Sequence, residues 1–141
     1  ASLVAFALGT LFVVQGVTKA DWISDAMRQE AVTLGLDENA IAHGDVVDSA
    51  AEAQHVADII REHRHSIAPT YQDLLADSGG RYDPTNTTHL SYTQALNMEN
   101  YLYMAVLGFG VAQMAEGVGA FMLVTGVALS GAGLALRGRV S

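Results

Sequence analysis

Two long apolar stretches constrain the fold of this chain more than any other feature of its sequence. The first 18 residues carry no charged side chain, and residues 100–136 carry a single one, Glu116. A helix of 18 residues would be about 27 Å long, close to the roughly 30 Å of a bilayer's hydrocarbon core. Because only a helix or a closed barrel satisfies the backbone in lipid, both stretches predict membrane-spanning helices.

The residues between these stretches are strongly acidic. From Asp21 to Glu99 there are 14 acidic residues, four arginines and all five histidines. This negative charge repels nucleic acid and anionic lipid surfaces, so neither is an expected partner. The chain has no cysteine, which excludes disulfides, thiolate catalysis, iron–sulfur clusters and cysteine-type zinc sites.

The predicted fold is an all-α membrane protein, in which two transmembrane helices bracket a small acidic helical extracytoplasmic domain. The predicted segments are transmembrane helix 1 (1–18), the extracytoplasmic domain (19–100), a long helix containing transmembrane helix 2 (101–136) and a cytoplasmic tail (137–141). Arg137 and Arg139 follow the second span. By the positive-inside rule they favour an N-in/C-in orientation in a bacterial cytoplasmic membrane, although Lys19 argues weakly the other way.

The start of the chain carries two further expectations. Because the chain begins inside an apolar run, we expect the native protein to continue upstream. Lys19 stands where a signal peptidase site would need small side chains, so we expect a retained membrane helix.

Helix signals also divide the middle of the chain. Apolar spacing predicts an amphipathic helix over 22–34, stopped by Gly35, and a clearer helix from about 48 to 66, capped by Asp48 or Ser49. A short helix is expected from Pro69 to Leu75. The Ser91-x-x-Gln94 spacing is typical of a capping box and predicts the start of one helix reaching about residue 135.

Three polar residues within the apolar stretches form one predicted contact. Counting about 20 residues back from Arg137 places the second span at 117–136, so Glu116 and Gln113 would lie at the outer membrane boundary. Gln15 falls near the same level, and the three are expected at a helix–helix contact or against a partner chain. The apolar turn 102–112 would then protrude and need a protein partner. A proton-transfer role for Glu116 is the alternative.

Small residues spaced four apart in the second stretch permit close helix packing. Their partner could be another subunit or this protein's own first span. The predicted packing residues are Gly108, Ala112, Ala115, Gly119, Gly126 and Ser130.

The candidate metal ligands lie on the helix 48–66, as Glu52-x-x-His55 and Glu62-x-x-His65. Carboxylate and imidazole three residues apart bind metals in di-iron bundles, where such motifs face one another across a buried core. Here they lie opposite the apolar side of the helix, which usually faces water. A solvated face is therefore the favoured interpretation, and no cofactor is predicted.

Several short sequence motifs of the chain resemble those of a known group of proteins. They are Val17-Thr18, Met27-Arg28-Gln29-Glu30, Val32-Thr33, Ile60-Arg61-Glu62-His63-Arg64, Thr70-Tyr71, Tyr92-Thr93-Gln94-Ala95, Asn97-Met98-Glu99-Asn100-Tyr101-Leu102 and Phe109-Gly110-Val111-Ala112. In this order the chain resembles actinobacterial two-transmembrane-helix proteins of unknown function, some of which carry an automatic label as aromatic ring-opening dioxygenases. The resemblance covers most of the chain and implies the two-span topology.

The sequence therefore favours a non-catalytic accessory or assembly subunit of a larger membrane complex. Its expected partners are other membrane protein subunits or further copies of the chain, together with the lipid bilayer. One alternative is a metal-dependent or redox membrane enzyme component that uses the helix 48–66. Another is a binding module for a lipid or envelope ligand.

Overall fold

The computed structural model describes residues 2–138. Within that range every regular element is a helix, loops connect the helices, and no strand occurs. The helices are α1 (Ser2–Glu30), α2 (Glu38–Ala42), α3 (Ala50–Ile67), α4 (Tyr71–Leu75) and α5 (Thr87–Arg137), with a 3-10 turn at Ala76–Ser78. The prediction of an all-α chain with two helices long and apolar enough to cross a membrane, α1 and α5, is confirmed. Arg139 of the predicted tail lies outside the described residues.

The chain forms two compact units. Among the described residues, the apolar unit contains 2–24 and 108–138, and the polar unit is Asp25–Leu107. Both α1 and α5 continue from one unit into the other. The membrane segments, extracytoplasmic domain and tail inferred from the sequence stay predictions, because the two units are defined by packing and not by a membrane.

Helix α1 continues beyond the predicted end of the first span. Residues 19–21 include neither proline nor glycine, so no helix breaker stops it there, and it ends at Glu30. Ala31 then takes a left-handed conformation with φ of 49°. The helix predicted over 22–34 is thus helical as far as Glu30, as the last part of α1, and its predicted end at Gly35 is wrong. Gly35 lies in the following loop, where its φ of 81° suits glycine better than any other residue.

Helix α3 builds the core of the polar unit. Ser49 caps it, and its hydroxyl and the Glu52 carboxylate form a reciprocal capping box. The predicted helix is thus present, and Ser49 is the cap. Burial of an apolar face against the preceding loop and the first half of α5 holds this unit together. The core residues are Val47, Ala53, Val56, Ala57, Ile60 and Leu102.

Helix α5 begins earlier than the sequence predicted. The Asn86 side chain accepts hydrogen bonds from the backbone N–H of Thr88 (2.9 Å) and of His89 (3.4 Å), which are free at a helix start. The predicted capping box at Ser91 is wrong, because Ser91 lies inside a helix that already began at Thr87. Neither proline nor glycine stands between Asn86 and Ser91, so nothing prevents the helix from starting at the earlier residue.

Candidate functional site

Glycines allow α1 and α5 to approach closely within the apolar unit. A Cβ atom added to Gly9 would lie 2.8 Å from the carbonyl oxygen of Gly119. One added to Gly119 would lie 2.7 Å from the carbonyl oxygen of Gly9. Neither distance leaves room for a methyl group, so the two backbones touch at this point. Small residues commonly have this role in the helix pairs of membrane proteins.

The other predicted packing residues extend the same contact. A Cβ atom on Gly126 would lie 3.2 Å from the Phe6 ring, and one on Gly108 would lie 2.8 Å from Ile23 Cδ1. Later residues of α1 therefore meet earlier residues of α5, so the helices are antiparallel. Ala115 and Ser130 are half-buried, and the Ser130 hydroxyl donates to the carbonyl oxygen of Gly126 at 2.8 Å.

Glu116 lies at this helix contact. A Cβ atom on Gly16 would lie 2.5 Å from Glu116 Cγ and 2.7 Å from the carbonyl oxygen of Ala112. The aliphatic part of the Glu116 side chain therefore packs on the glycine surface of α1, and the residue is half-buried. The aliphatic stem of Glu116 is therefore part of the helix contact.

The two glutamines do not join Glu116. Both Gln15 and Gln113 are exposed, although each neighbours a residue of the helix contact. Within residues 2–138 no hydrogen bond links the Glu116 carboxylate to either glutamine. Successive residues of a helix point about 100° apart, which turns both amides away from the contact. The sequence predicted that the three residues share one depth in the membrane. It did not predict which side of its helix each glutamine occupies.

The metal candidates on α3 are not gathered into one site. The Glu52 carboxylate accepts hydrogen bonds from the Ser49 hydroxyl (2.7 Å) and from the N–H groups of Asp48 and Ser49 (3.2 Å each). It is therefore occupied at the helix start. His55, Glu62 and His65 are exposed along an open surface groove. The described part of the chain holds no group of three or more His, Asp or Glu side chains arranged to bind a metal ion.

A cluster of polar side chains connects α3 to the first half of α5 within the polar unit. The Tyr103 hydroxyl donates to Asp58 Oδ1 at 3.1 Å, and Arg61 donates to the Tyr103 oxygen at 3.0 Å. Hydrogen bonds from Gln54 and then Tyr103 hold the pKa of Asp58 below its usual value. Burial and the Asp58 hydrogen bond raise the pKa of Tyr103. No sequence signal pairs Tyr103 with α3, because they are far apart in the chain.

The guanidinium of Arg64 is buried between α3 and the first half of α5. Its Nε donates to Glu99 Oε2 at 2.7 Å and one terminal nitrogen donates to the Tyr92 hydroxyl at 2.5 Å. The guanidinium also lies over the Tyr92 ring, 5.0 Å from its centre. The hydrogen bond to Glu99 raises the pKa of Arg64. The sequence did carry a signal for this residue, since Arg64 follows Ile60 by four positions on the apolar face of α3.

A buried histidine fixes the loop before α5 through two hydrogen bonds to the backbone. His89 is 2% exposed, and its Nδ1 accepts from the N–H of Asp83 at 3.0 Å. Its Nε2 lies 3.0 Å from the carbonyl oxygen of Leu74, so these partners assign the ring proton to Nε2. The imidazole joins two backbone segments and has a structural role. Hydrogen bonds from Thr85 lower the pKa of the neighbouring Asp83 carboxyl.

These hydrogen bonds and ion pairs join helices and loops of the polar unit to one another. In the described chain every buried polar side-chain atom has a hydrogen-bond partner. The buried polar groups therefore hold helices together, and the exposed apolar sides of α1 and α5 are the best candidate for a functional surface. No family model, curated protein or solved structure matches the chain.

Proposed function

We propose that this chain is a non-catalytic accessory or assembly subunit of a larger complex in a bacterial cytoplasmic membrane. In this proposal α1 and the later part of α5 cross the bilayer as an antiparallel pair. The polar unit lies on the extracytoplasmic side. The two spans agree with the topology implied by the resemblance to actinobacterial two-span proteins.

The observation that supports the proposal most is the arrangement of side chains in the apolar unit. Small residues fill the contact between α1 and α5, and large apolar side chains point outward. Only 11% of the most apolar stretch of each helix is buried inside the protein. The core helix of a water-soluble protein would be mostly buried, because exposed apolar surface of this extent is unfavourable in water. Lipid or another membrane helix suits such a surface.

The charges support the proposed orientation. Arg137 lies at the end of α5, immediately after the apolar stretch, and an arginine there favours the cytoplasmic side. The polar unit holds nearly all of the acidic residues, which contribute little to this rule and translocate readily.

The assembly role also accounts for apolar surface in the polar unit. Tyr101, Met104 and Leu107 of α5 are exposed by 66–72% of their surface. Their helix continues directly into the proposed span, so they would lie near its outer end. A protein partner there would remove this apolar surface from water.

Isolation of the tagged full-length chain from native membranes in a gentle detergent tests the proposal. We expect other membrane polypeptides to co-purify in fixed ratio and to remain bound through size-exclusion chromatography. The control is an equally tagged unrelated two-span protein from the same cells. Recovery of this chain without other polypeptides would contradict the proposal. Stoichiometric iron, copper or zinc that is lost when His55 and His65 are both replaced would favour the metal-dependent alternative instead.

A further inference from the structure

The side chain of His89 binds the loop over residues 79–86, which precedes α5 in the polar unit. The residue is 2% exposed and lies in the first turn of α5. Its Nδ1 accepts from the N–H of Asp83 at 3.0 Å, and its Nε2 donates to the carbonyl oxygen of Leu74 at 3.0 Å. The neutral imidazole, with one ring nitrogen free to accept, satisfies both partners. The loop is therefore bound by one charge state of the ring.

Protonation of His89 would reverse the role of Nδ1. The imidazolium ion is a hydrogen-bond donor at both ring nitrogens. Its new Nδ1–H would face the N–H of Asp83, so two donors would meet and neither would have an acceptor. The bond to the Leu74 carbonyl oxygen needs Nε2–H, which both charge states carry, so protonation does not remove it. The charge state of the ring thus controls its contact with the loop and not its contact with α4.

The groups that face the ring come from three elements. From α4 it meets the Leu74 carbonyl oxygen, and from the loop it meets Asp83 and the ring of Tyr82, whose centre lies 5.7 Å away. From α5 itself it meets the positive end of the helix dipole, which disfavours an imidazolium in the first turn. Hydrogen bonds from Thr85, and then the attraction of His89, hold the pKa of Asp83 below its usual value. The Asp83 carboxylate is therefore charged throughout the pH range in which histidines titrate.

Asp83 can bind the ring in two ways, through its N–H when the ring is neutral and through its carboxylate when the ring is charged. The carboxylate now accepts from the N–H and hydroxyl of Thr85, at 2.8 Å and 2.7 Å. Binding the imidazolium would therefore require the loop to shift. Gly79 and Gly80 begin the loop with φ of 66° and 80°, and a Cβ on either would meet no atom within 4 Å. Such a shift meets little steric resistance at this end of the loop.

We propose that His89 is a pH-dependent latch, which holds the loop over 79–86 against the start of α5 when neutral and releases it when protonated. The hydrogen bond from Asp83 is present while the ring is neutral, and it is lost as the pH falls through the range from about 8 to about 5 in which histidines gain a proton. On the extracytoplasmic side the loop would respond to the pH of the surroundings. This sensing role rests on the proposed location of the polar unit, whereas the latch rests on contacts within that unit.

Amide hydrogen exchange of the full chain in detergent, measured by NMR, tests the latch. After correction for the intrinsic pH dependence of exchange, protection of the Asp83 N–H should fall about tenfold between about pH 7.5 and about pH 5, as for the loss of one hydrogen bond. In His89→Asn the side-chain oxygen can accept from the same N–H and does not titrate, so protection should stay constant. The matched control His63→Asn, at an exposed histidine of α3, should keep the pH dependence of the wild type.

Constant protection of the Asp83 N–H in the wild type over this range would overturn the latch. An equal loss in the wild type and in His89→Asn would also overturn it, since another group would then control the loop. The imidazole nitrogen NMR signals of wild-type His89 give a second test that needs no variant to fold. Nδ1 must gain a proton over the same range, and a ring still neutral at about pH 5 would contradict the proposal. A chain that shows the latch but binds no other polypeptide contradicts the assembly function alone.

Discussion

The buried pair of Arg64 and Glu99 joins α3 to the first half of α5 inside the polar unit. Removing two charges from water is costly, and the attraction between them offsets this cost only when the remaining hydrogen-bonding capacity is satisfied. Glu99 takes two donors of the guanidinium and Tyr92 takes a third. The pair therefore fixes which turns of the two helices face each other. Its net contribution to stability is expected to be smaller than the effect of breaking it.

Single and double substitutions separate these effects. Arg64→Met leaves a buried carboxylate without its partner and should lower the free energy of unfolding by about 3–5 kcal/mol. Glu99→Gln should have an effect in the same direction, because it leaves the arginine charge unpaired. The double variant Arg64→Met/Glu99→Leu removes both charges and should unfold closer to the wild type than either single variant. Thermal unfolding of the full chain in detergent, followed by circular dichroism, measures this; additive losses would contradict the account.

The position of Arg64 illustrates what could be predicted at the scale of residues. Its place on the apolar side of α3 marks it as a buried cation from sequence alone, because apolar neighbours precede it by four and eight positions. Its partners could not be inferred, since Glu99 and Tyr92 lie far along the chain on another helix. The same holds for Asp58, whose partner Tyr103 also lies far along the chain on another helix. Local spacing reveals the face of a helix but not which distant face packs on it.

At the scale of elements, the pairing of α1 with α5 depends on glycine at particular positions. The sequence identified the small residues of α5 and left open whether their partner was another subunit or the chain's own first helix. Within the apolar unit they pack on α1, where Gly9 and Gly16 provide matching flat surfaces. Spacing alone could not decide between these partners, because both present the same kind of apolar helix. The sequence placed the start of α5 at Ser91, whereas the helix begins at Thr87, after Asn86.

A one-methyl substitution tests the glycine contact. In Gly119→Ala the added Cβ would lie 2.7 Å from the carbonyl oxygen of Gly9 and from Val13, so the helices must separate. We expect a loss of about 1–3 kcal/mol, typical of overpacking. The matched control is Gly131→Ala, an exposed position on the same helix where a Cβ has no close neighbour. It should be neutral or slightly stabilising, because alanine favours helix over glycine. Equal melting temperatures for the two variants would contradict the contact.

At the scale of the whole molecule, the apolar stretches determined most of what the sequence could predict. An all-α chain with two long apolar helices follows from their length and from the lack of proline in them. The sequence did not show that the helix of the first apolar stretch continues to Glu30, because a charged residue such as Lys19 ends an apolar run without ending a helix. Orientation rests on very few basic residues, so the side of the membrane occupied by the polar unit is a proposal. The central claim is that α1 and α5 both cross the membrane, so that the polar unit lies on one side of it and the C-terminal end of α5 on the other.

Labelling of single cysteines in intact bacterial cells tests that claim most directly. Gln72→Cys is exposed in the polar unit, and Gly138→Cys follows the end of α5. A maleimide that cannot cross the membrane should label Gln72→Cys in intact cells, and should label Gly138→Cys only after the cells are permeabilised. Labelling of both positions from outside, or recovery of the protein in the soluble fraction, would contradict the two-span account.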